Sequence, residues 1–312
     1  MQGLTPFRLA PYFRTRVWGF NDLSPWYDYK TDGEPIGEVW LTGEMCIAET
    51  GPLTGQSLKE ITAAHGEALL GGGKAGQEFP LLVKILFPKE KLSVQVHPDD
   101  AMAQKYGEPR GKTECWYALD AQPGAEVALG IKPGTTPEEA RVAIQESRLE
   151  ELLNLIPVNK GDMIFVDAGT IHAVWPGAVL LETQQTSDLT YRMYDYGRPR
   201  ELHLDKSLEA MRVKTGAGKI APKNVDGYSI LIDQKYFRVE RWKESLPSVE
   251  NAAADVVQTL FVVDGKLRIE GDRFQPFSLD RCQIVVIPGG ARDWKITPEA
   301  AAEVIRILPQ SA

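Results

Sequence analysis

Apolar residues recur with a period of two along most of this chain. In LSVQVHPDD (residues 92–100), Leu92, Val94 and Val96 alternate with Ser93, Gln95 and His97, which predicts a strand with two unlike faces. Pro98 ends it. Further strands are predicted in EVWLTG, FPLLVKILF, TECWYAL, EVALGI, DMIFVDA and AVLLETQQ, punctuated by Gly, Pro and Asn/Asp clusters. One stretch departs from the period. Thr136 is a predicted N-cap, Pro137 suits the first helical position, and Glu139 completes a capping box. Val142, Leu149, Leu152 and Leu153 supply an apolar stripe before Pro157, so a helical insertion is expected near residues 136–156. A second short helix is predicted over residues 204–213, and a linker over residues 215–224 (TGAGKIAPKN). Strands then resume: YSILID, FRVERW, VVQTLFVVDG, KLRIEG, CQIVVIP and EVIRIL. Many short strands and few helices predict an all-β sandwich or barrel in each half.

An internal echo suggests that the halves are related. GDMIFVDAGTIHAV and RCQIVVIPGGARDWKI each run through a polar turn, an apolar strand and a small-residue turn at Gly169 or Gly290. Three positions on, the first has His172 and the second Asp293. Duplicated jelly rolls are expected, spanning residues 1–215 and 216–312, of which only the first keeps a metal-binding residue.

Composition narrows the function. A length of 312 residues allows one large domain or two, and 43% hydrophobic with 25% charged residues is ordinary for a globular protein. A net charge of −8 argues against a general nucleic-acid binder. No apolar run is long enough for a membrane span, and the N-terminal segment lacks the pattern of a secretion signal. The 3 cysteines, Cys46, Cys115 and Cys282, are widely spaced and suggest reduced thiols in a cytoplasmic protein. The glycine-rich GGGK at residues 71–74 lacks the spacing of a phosphate-binding P-loop and is expected to be a loop.

The chemistry gathers around the first strand. Gln95 and His97 share a face about 7 Å apart, and both could reach one ion. Glu114 in GKTECWYAL and His172 complete a Gln, His, Glu, His set with one negative charge. A divalent ion held there would keep net positive charge and remain a Lewis acid. Zinc suits the set best, and manganese, iron, cobalt or nickel would be tolerated.

Taken in order, LSVQVHPDD, GKTECWYAL, GDMIFVDAGTIHAV and LLETQQTSDLTYRMYDYGR resemble the type I mannose-6-phosphate isomerases (phosphomannose isomerases), and specifically their shorter bacterial subgroup. RVWGFNDL, IGEVW and FPLLVKILF add to the likeness, which covers residues 10–215; the rest resembles the family's C-terminal jelly roll loosely. The resemblance implies an all-β fold of tandem cupin jelly rolls (double-stranded β-helices), about one zinc ion per chain on Gln95, His97, Glu114 and His172, and a sugar-phosphate substrate. It implies a catalytic arginine at Arg192, a pocket lysine at Lys112, acidic pocket residues at Glu182 and Asp188, and substrate contacts from Lys84 and Ser93. The proton-transfer base stays open between Lys112, which would need a depressed pKa, Glu182 and Asp188. Each has a plainer reading: Lys84 and Lys112 as solvated surface cations, Arg192 as the ion-pair partner of Asp188, Tyr191, Tyr194 and Tyr196 as sheet aromatics. The aromatic start (Trp18, Phe20, Trp26, Tyr27, Tyr29) reads as packing. Two positions depart from the family pattern: Asp167 stands where cupins place Pro, and Gly111 where longer members have His. The other functions open to such a chain are a cupin metalloenzyme of different chemistry and a non-catalytic sugar binder.

Overall fold

Strands in the middle of this molecule are buried on both faces. The structure is a computed structural model that describes residues 4–72, 78–243, 246, 249–299 and 301–310. All six residues of Leu81–Leu86 are buried. Leu81, Val83 and Ile85 join one apolar cluster while Leu86 joins another. Along Glu114–Ala121 the same alternation sends Cys115, Tyr117 and Leu119 one way, and Trp116 and Ala118 the other. Burial on both faces requires a sheet inside a stack of layers, with period-2 side chains serving two different cores.

The stack has four layers. The first large sheet runs, in spatial order, Gly218–Ile220, Met163–Val166, Glu114–Ala121, Ala178–Gln185, Leu81–Leu86, Ile36–Trp40 and Tyr12–Phe20. Against its inner face lies a five-stranded sheet: Tyr191–Tyr194, Val94–Val96, His172–Val174, Glu126–Ile131 and Leu153–Pro157. The second half repeats this with a seven-stranded sheet built on Gln258–Asp264, Glu303–Pro309 and Phe237–Lys243, and a three-stranded sheet of Phe277–Leu279, Leu267–Gly271 and Trp294–Pro298. The two large sheets pack back to back. Val39, Val83, Ile85 and Tyr117 share one cluster with Val239, Phe261, Ile284 and Ile305. The architecture is therefore all-β, two tandem jelly rolls with a small helical insertion.

The insertion begins as the sequence predicts, with Thr136 and Glu139 forming a capping box and Pro137 opening the helix Pro137–Gln145. It ends earlier than expected. Ser147 takes a positive φ of 57°, and Leu149–Leu152 forms a 3-10 turn leading into the strand Leu153–Pro157. The break resets the phase of the helix, so Ala140, Ala143 and Ile144 are its buried residues and Val142 is exposed. Sequence analysis missed the longer helix Leu58–Leu70, although SLKE carries its signature: Ser57 and Glu60 form a capping box. It also missed Asp100–Lys105, capped by Asp99. The helix expected over residues 204–213 is Leu204–Ala210. Residues 215–224 are more than a linker: Gly218–Ile220 adds to the edge of the first large sheet and Lys223–Val225 to the edge of the second. Edge strands pair on one side only, so they need little apolar character. Gly71 and Gly72 follow the helix Leu58–Leu70, whereas Gly73 and Lys74 of GGGK lie outside the described residues.

The internal echo corresponds to one structural step made twice. Met163–Val166 lies in a large sheet and His172–Val174 in the small sheet facing it; Ile284–Ile287 and Trp294–Pro298 stand in the same relation. We propose a division into halves at residues 215 and 216, with strands exchanged both ways: Phe7–Leu9 pairs with Ile284–Ile287 of the second half, and Gly218–Ile220 with Met163–Val166 of the first. A chain ending at residue 215 would leave the back of the first sheet uncovered. It is expected to aggregate and to bind a hydrophobic dye in size-exclusion and fluorescence measurements; a soluble, well-folded fragment would overturn the shared-core account.

Candidate active site and metal centre

The same alternation that fills the cores aims the polar residues. Within the first jelly roll, Val94, Val96, Ala173, Tyr191 and Met193 turn outward into a cluster with the helices. Their neighbours Gln95, His172 and Arg192 therefore turn inward, and strand register places His172 and Arg192 on either side of Gln95. On the facing sheet, Glu182 lies between Lys84 and Trp116 in register.

His97, Glu114 and His172 converge, with their ligating atoms all within 4.8 Å of one another, and all three are buried. Nε2 of His172 lies 3.4 Å from Glu114 Oε1, and Nε2 of His97 lies 3.6 Å from Glu114 Oε2. Each ring spends its other nitrogen on the backbone: His97 Nδ1 is 2.8 Å from Leu189 O and His172 Nδ1 is 2.9 Å from Thr170 O. Because a carbonyl only accepts, Nδ1 carries the proton and Nε2 keeps its lone pair for the common point. Burial holds both rings neutral: His97 is pushed well below the usual histidine range, and His172 down to about 4. The Gln95 amide lies 3.2 Å from His172 Nε2, and a half-turn exchanges its nitrogen for the ligating oxygen. Two neutral imidazoles, a carboxylate and an amide oxygen fit a divalent ion.

A second set of charges lies alongside. Lys112 Nζ is 2.7 Å from Glu114 Oε2, 3.3 Å from Glu182 Oε1 and 3.0 Å from His97 Nε2. Lys84 Nζ sits 3.4 Å from Glu182 and 3.8 Å from Glu38. Glu38 accepts both Nε and Nη2 of Arg16, at 3.1 and 2.9 Å, and the indole N–H of Trp40 at 2.8 Å. Burial alone would raise the Glu38 carboxyl, but Lys84 and Arg16 hold it near 2. Glu182 goes the other way, to about 7, because burial and the Glu114 charge outweigh Lys84 and Lys112. For Lys112, burial would favour the neutral amine, yet Glu114 and Glu182 prevail and push its pKa up. In the metal-free site this runs opposite to the depression that a base at Lys112 would need. The alternative of Lys84 and Lys112 as surface cations also fails, since both are buried.

These groups open onto a cavity of about 450 Å³. Lys84, Ser93, Gln95, Lys112, Glu114, Glu182, Asp188 and Arg192 all line it; His97 and His172 are not among the lining residues. Among the described residues no ion pair joins Arg192 to Asp188. Arg192 donates Nη1 to Glu201 O at 2.9 Å, and its buried Nε has no hydrogen-bond partner. Tyr191, Tyr194 and Tyr196 belong to the outer cluster, and Trp26, Tyr27 and Tyr29 pack on the central one. Of the aromatic start, Trp18 lines the cavity. Sequence analysis missed Arg16, Glu38, Trp116, Thr190, Arg200 and His203, which also line it. The one available signal was Glu38 itself, a lone acid inside the apolar strand IGEVW. Both departures from the family pattern have local reasons. A Cβ on residue 111 would meet Pro98 O and the Asp99 carbonyl carbon at 2.4 Å, so only Gly fits this packing. Asp167 accepts the Gly216 N–H on Oδ2 at 3.3 Å, a bond Pro could not make, while its carbonyl accepts the Thr170 N–H at 3.0 Å in the turn before His172.

The depressed histidines make metal-free stability pH-dependent. His172 titrates near 6.5 unfolded and near 4 folded, so between these values only the unfolded chain takes up the proton. Stability should fall as pH drops through 6.5 and level off below 4, by about 3 kcal/mol. Glu182 has the opposite sign, costing stability as pH rises from 4.5 towards 7. Comparing wild type with His172→Gln in chelator-treated protein cancels that contribution. The wild-type advantage in urea midpoints should shrink from pH 7 to pH 4; a constant difference would contradict the assigned burial of a neutral ring.

Comparison with known proteins places this geometry in a family. Residues 7–136 match the family model described as the catalytic domain of type I phosphomannose isomerase. The mannose-6-phosphate isomerase of Streptococcus mutans is 32% identical over 304 residues, covering 93% of this chain and 94% of that protein. The isomerase ManA of Bacillus subtilis is 34% identical over 316 residues, covering 96% and 98%. The crystal structure of the Bacillus subtilis mannose 6-phosphate isomerase superposes with a TM-score of 0.86 at 32% identity, covering 97% of this chain and 99% of that one. A phosphomannose isomerase structure from Salmonella typhimurium, at 17% identity and a TM-score of 0.82, shares the fold. With a strand framework, a convergent His–Glu–His set and relatives of this similarity along nearly its whole length, the chain belongs to the type I mannose-6-phosphate isomerase family.

Proposed function

We propose that this chain interconverts mannose 6-phosphate and fructose 6-phosphate, moving a proton between C1 and C2 of the open-chain sugar through an enediol, with zinc as its resident ion and the cytoplasm as its compartment. The observation that carries the proposal is the contact of two buried sets, His97, Glu114 and His172 beside Lys112, Glu182 and Lys84, with Glu114 shared between the ion site and the cavity wall. The names of the relatives supply the substrate.

Gln95, His97, Glu114 and His172 would hold the zinc, which when bound supplies a Lewis acid for a substrate oxygen. Glu182 is the better base. Its carboxyl lies on the cavity wall, and burial raises it above the usual carboxylate range in the metal-free site, so it can both take and return a proton. Asp188, on the same cavity wall, is the second candidate. Lys112 stays charged and serves as an electrophilic partner for a developing oxyanion, and Lys84 fixes the position of Glu182 while facing the same cavity. Arg192 offers a fork of N–H donors and cannot give up a proton, which suits enediolate or phosphate binding and excludes it as base. Ser93, inward on the Gln95 face, supplies a hydroxyl for the sugar.

Two outcomes are expected. Purified protein should carry about one divalent ion per chain, lose conversion of mannose 6-phosphate on chelation and regain it with zinc; fully active protein without metal in elemental analysis would end the zinc assignment. Arg192→Ala should lower kcat about 100-fold with little change in KM, a loss near 3 kcal/mol, and Lys should rescue it poorly because a point charge lacks the planar fork. A rise in KM alone would reassign Arg192 to phosphate binding. Near-normal turnover in folded, zinc-loaded Arg192→Ala would falsify its catalytic role.

A further inference from the structure

The segment that delivers Lys112 and Glu114 is not held by the first jelly roll alone. Tyr236 lies in the second half, at the turn between Tyr228–Asp233 and Phe237–Lys243. The Gln310 N–H donates to its carbonyl at 3.0 Å, and its ring packs on the central apolar cluster. From there its hydroxyl crosses to the first half and donates to Asp100 Oδ2 at 2.6 Å. The other oxygen of Asp100 accepts two donors, the Gly111 N–H and Gln185 Nε2, both at 2.9 Å. Gln185 in turn accepts the Thr113 N–H on Oε1 at 2.9 Å. Between these, the Lys112 N–H donates to Pro98 O at 3.0 Å. Three successive amides are thus pinned before Glu114 begins its strand. The close contact of Gly111 with the backbone of residues 98–100 leaves this segment no room to shift.

We propose that Tyr236 and Asp100 are positioning residues, through which the second jelly roll fixes the 111–113 segment and so aims Lys112 and Glu114 into the cavity. The proposal rests on the functional reading of that cavity, and it gives the C-terminal half a part in the site without a ligand of its own. A carboxylate that bridges a tyrosine, a backbone amide and a glutamine has its acceptor sites filled by fixed donors, which makes it a rigid node. Lys235, whose Nζ is 3.7 Å from Asp100 and 3.1 Å from the Tyr236 hydroxyl, is exposed and adds little.

The test uses full-length Y236F, D100N and D100A, with Tyr228→Phe as a control that removes a hydroxyl elsewhere in the second half. Three measurements are made: amide hydrogen exchange at Gly111 and Thr113, zinc affinity, and kcat and KM at saturating zinc. D100A should speed exchange at both amides about 10-fold, weaken zinc binding about 10- to 100-fold, and lower kcat more than it raises KM. D100N should be milder, because its oxygen can still accept from Gly111 and Gln185 while its amide faces the tyrosine oxygen. Y236F should show the same pattern at reduced size, and it keeps the test alive if D100A does not fold. Exchange rates and zinc affinity that match the control, with only an earlier melting temperature, would overturn the proposal. A wild-type chain without isomerase activity, whose exchange still responds to Y236F and D100N, would overturn the functional reading and leave the positioning intact.

Discussion

Everything in the first jelly roll follows from one constraint: the central strands of its large sheet are buried on both faces. Each strand must divide its side chains between two dry compartments. The outer compartment, against the second jelly roll, takes Leu81, Val83, Ile85, Cys115 and Tyr117, and it is apolar. The inner one takes Lys84, Glu114 and Glu182 at the alternate positions, along with Trp116 and Leu86. Charges placed there cannot be left to solvent. An isolated buried charge costs several kcal/mol, so each must find a partner. The acids Glu38, Glu114 and Glu182 accordingly interleave with Arg16, Lys84 and Lys112.

That interleaving sets the chemistry of each group. Glu38 and Glu182 are both buried, and both lie near Lys84. What separates them is their other neighbours. Glu38 has Arg16 and the Trp40 indole, while Glu182 has the charge of Glu114. One carboxyl is held near 2 and the other near 7. A pair of like residues driven apart by surroundings is the usual arrangement by which a fold assigns a structural and a proton-transferring role to the same side chain.

Much of this was legible in the sequence, and the limits are physical. The period-2 rows gave the strands and put Gln95 and His97 on one face, because register in a buried sheet cannot slip by one without inverting both faces; His172 joined them through its chemistry and Arg192 through the family resemblance. The capping box at Thr136 located a helix start, but not its end, because Ser147 breaks the helix with a backbone conformation that no side-chain pattern announces. Ser57 carries the same box, and the helix Leu58–Leu70 that follows it buries Leu58, Ile61, Leu69 and Leu70. Arg16 and Glu38 were harder. They come from the far edge of the sheet, and only the register of Ile36–Trp40 against Leu81–Leu86 brings Glu38 to Lys84. Lys112 has two carboxylates at 2.7 and 3.3 Å, a pairing that sequence spacing does not place.

The second jelly roll is the instructive contrast. It too has an inner compartment with charges, on the same layer as Trp242, Leu260 and Val304. Arg306 donates to Gln258 at 2.6 Å, to Glu240 at 3.1 Å and to the Ala252 carbonyl at 2.6 Å. Glu240 also accepts from Arg238 at 2.7 Å and from the Trp242 indole at 3.2 Å. There the guanidinium and the carboxylate spend themselves on each other, and the network closes as a plug. In the first half the corresponding space keeps a donor in reserve: Arg192 Nε is buried without a hydrogen-bond partner. Leaving such groups unsatisfied costs stability, and a protein gains from it only where something else completes the bonds. The difference between the two jelly rolls is thus one of saturation. One copy has satisfied its interior and become a support; the other has kept its interior incomplete, and that incompleteness is what makes it a site.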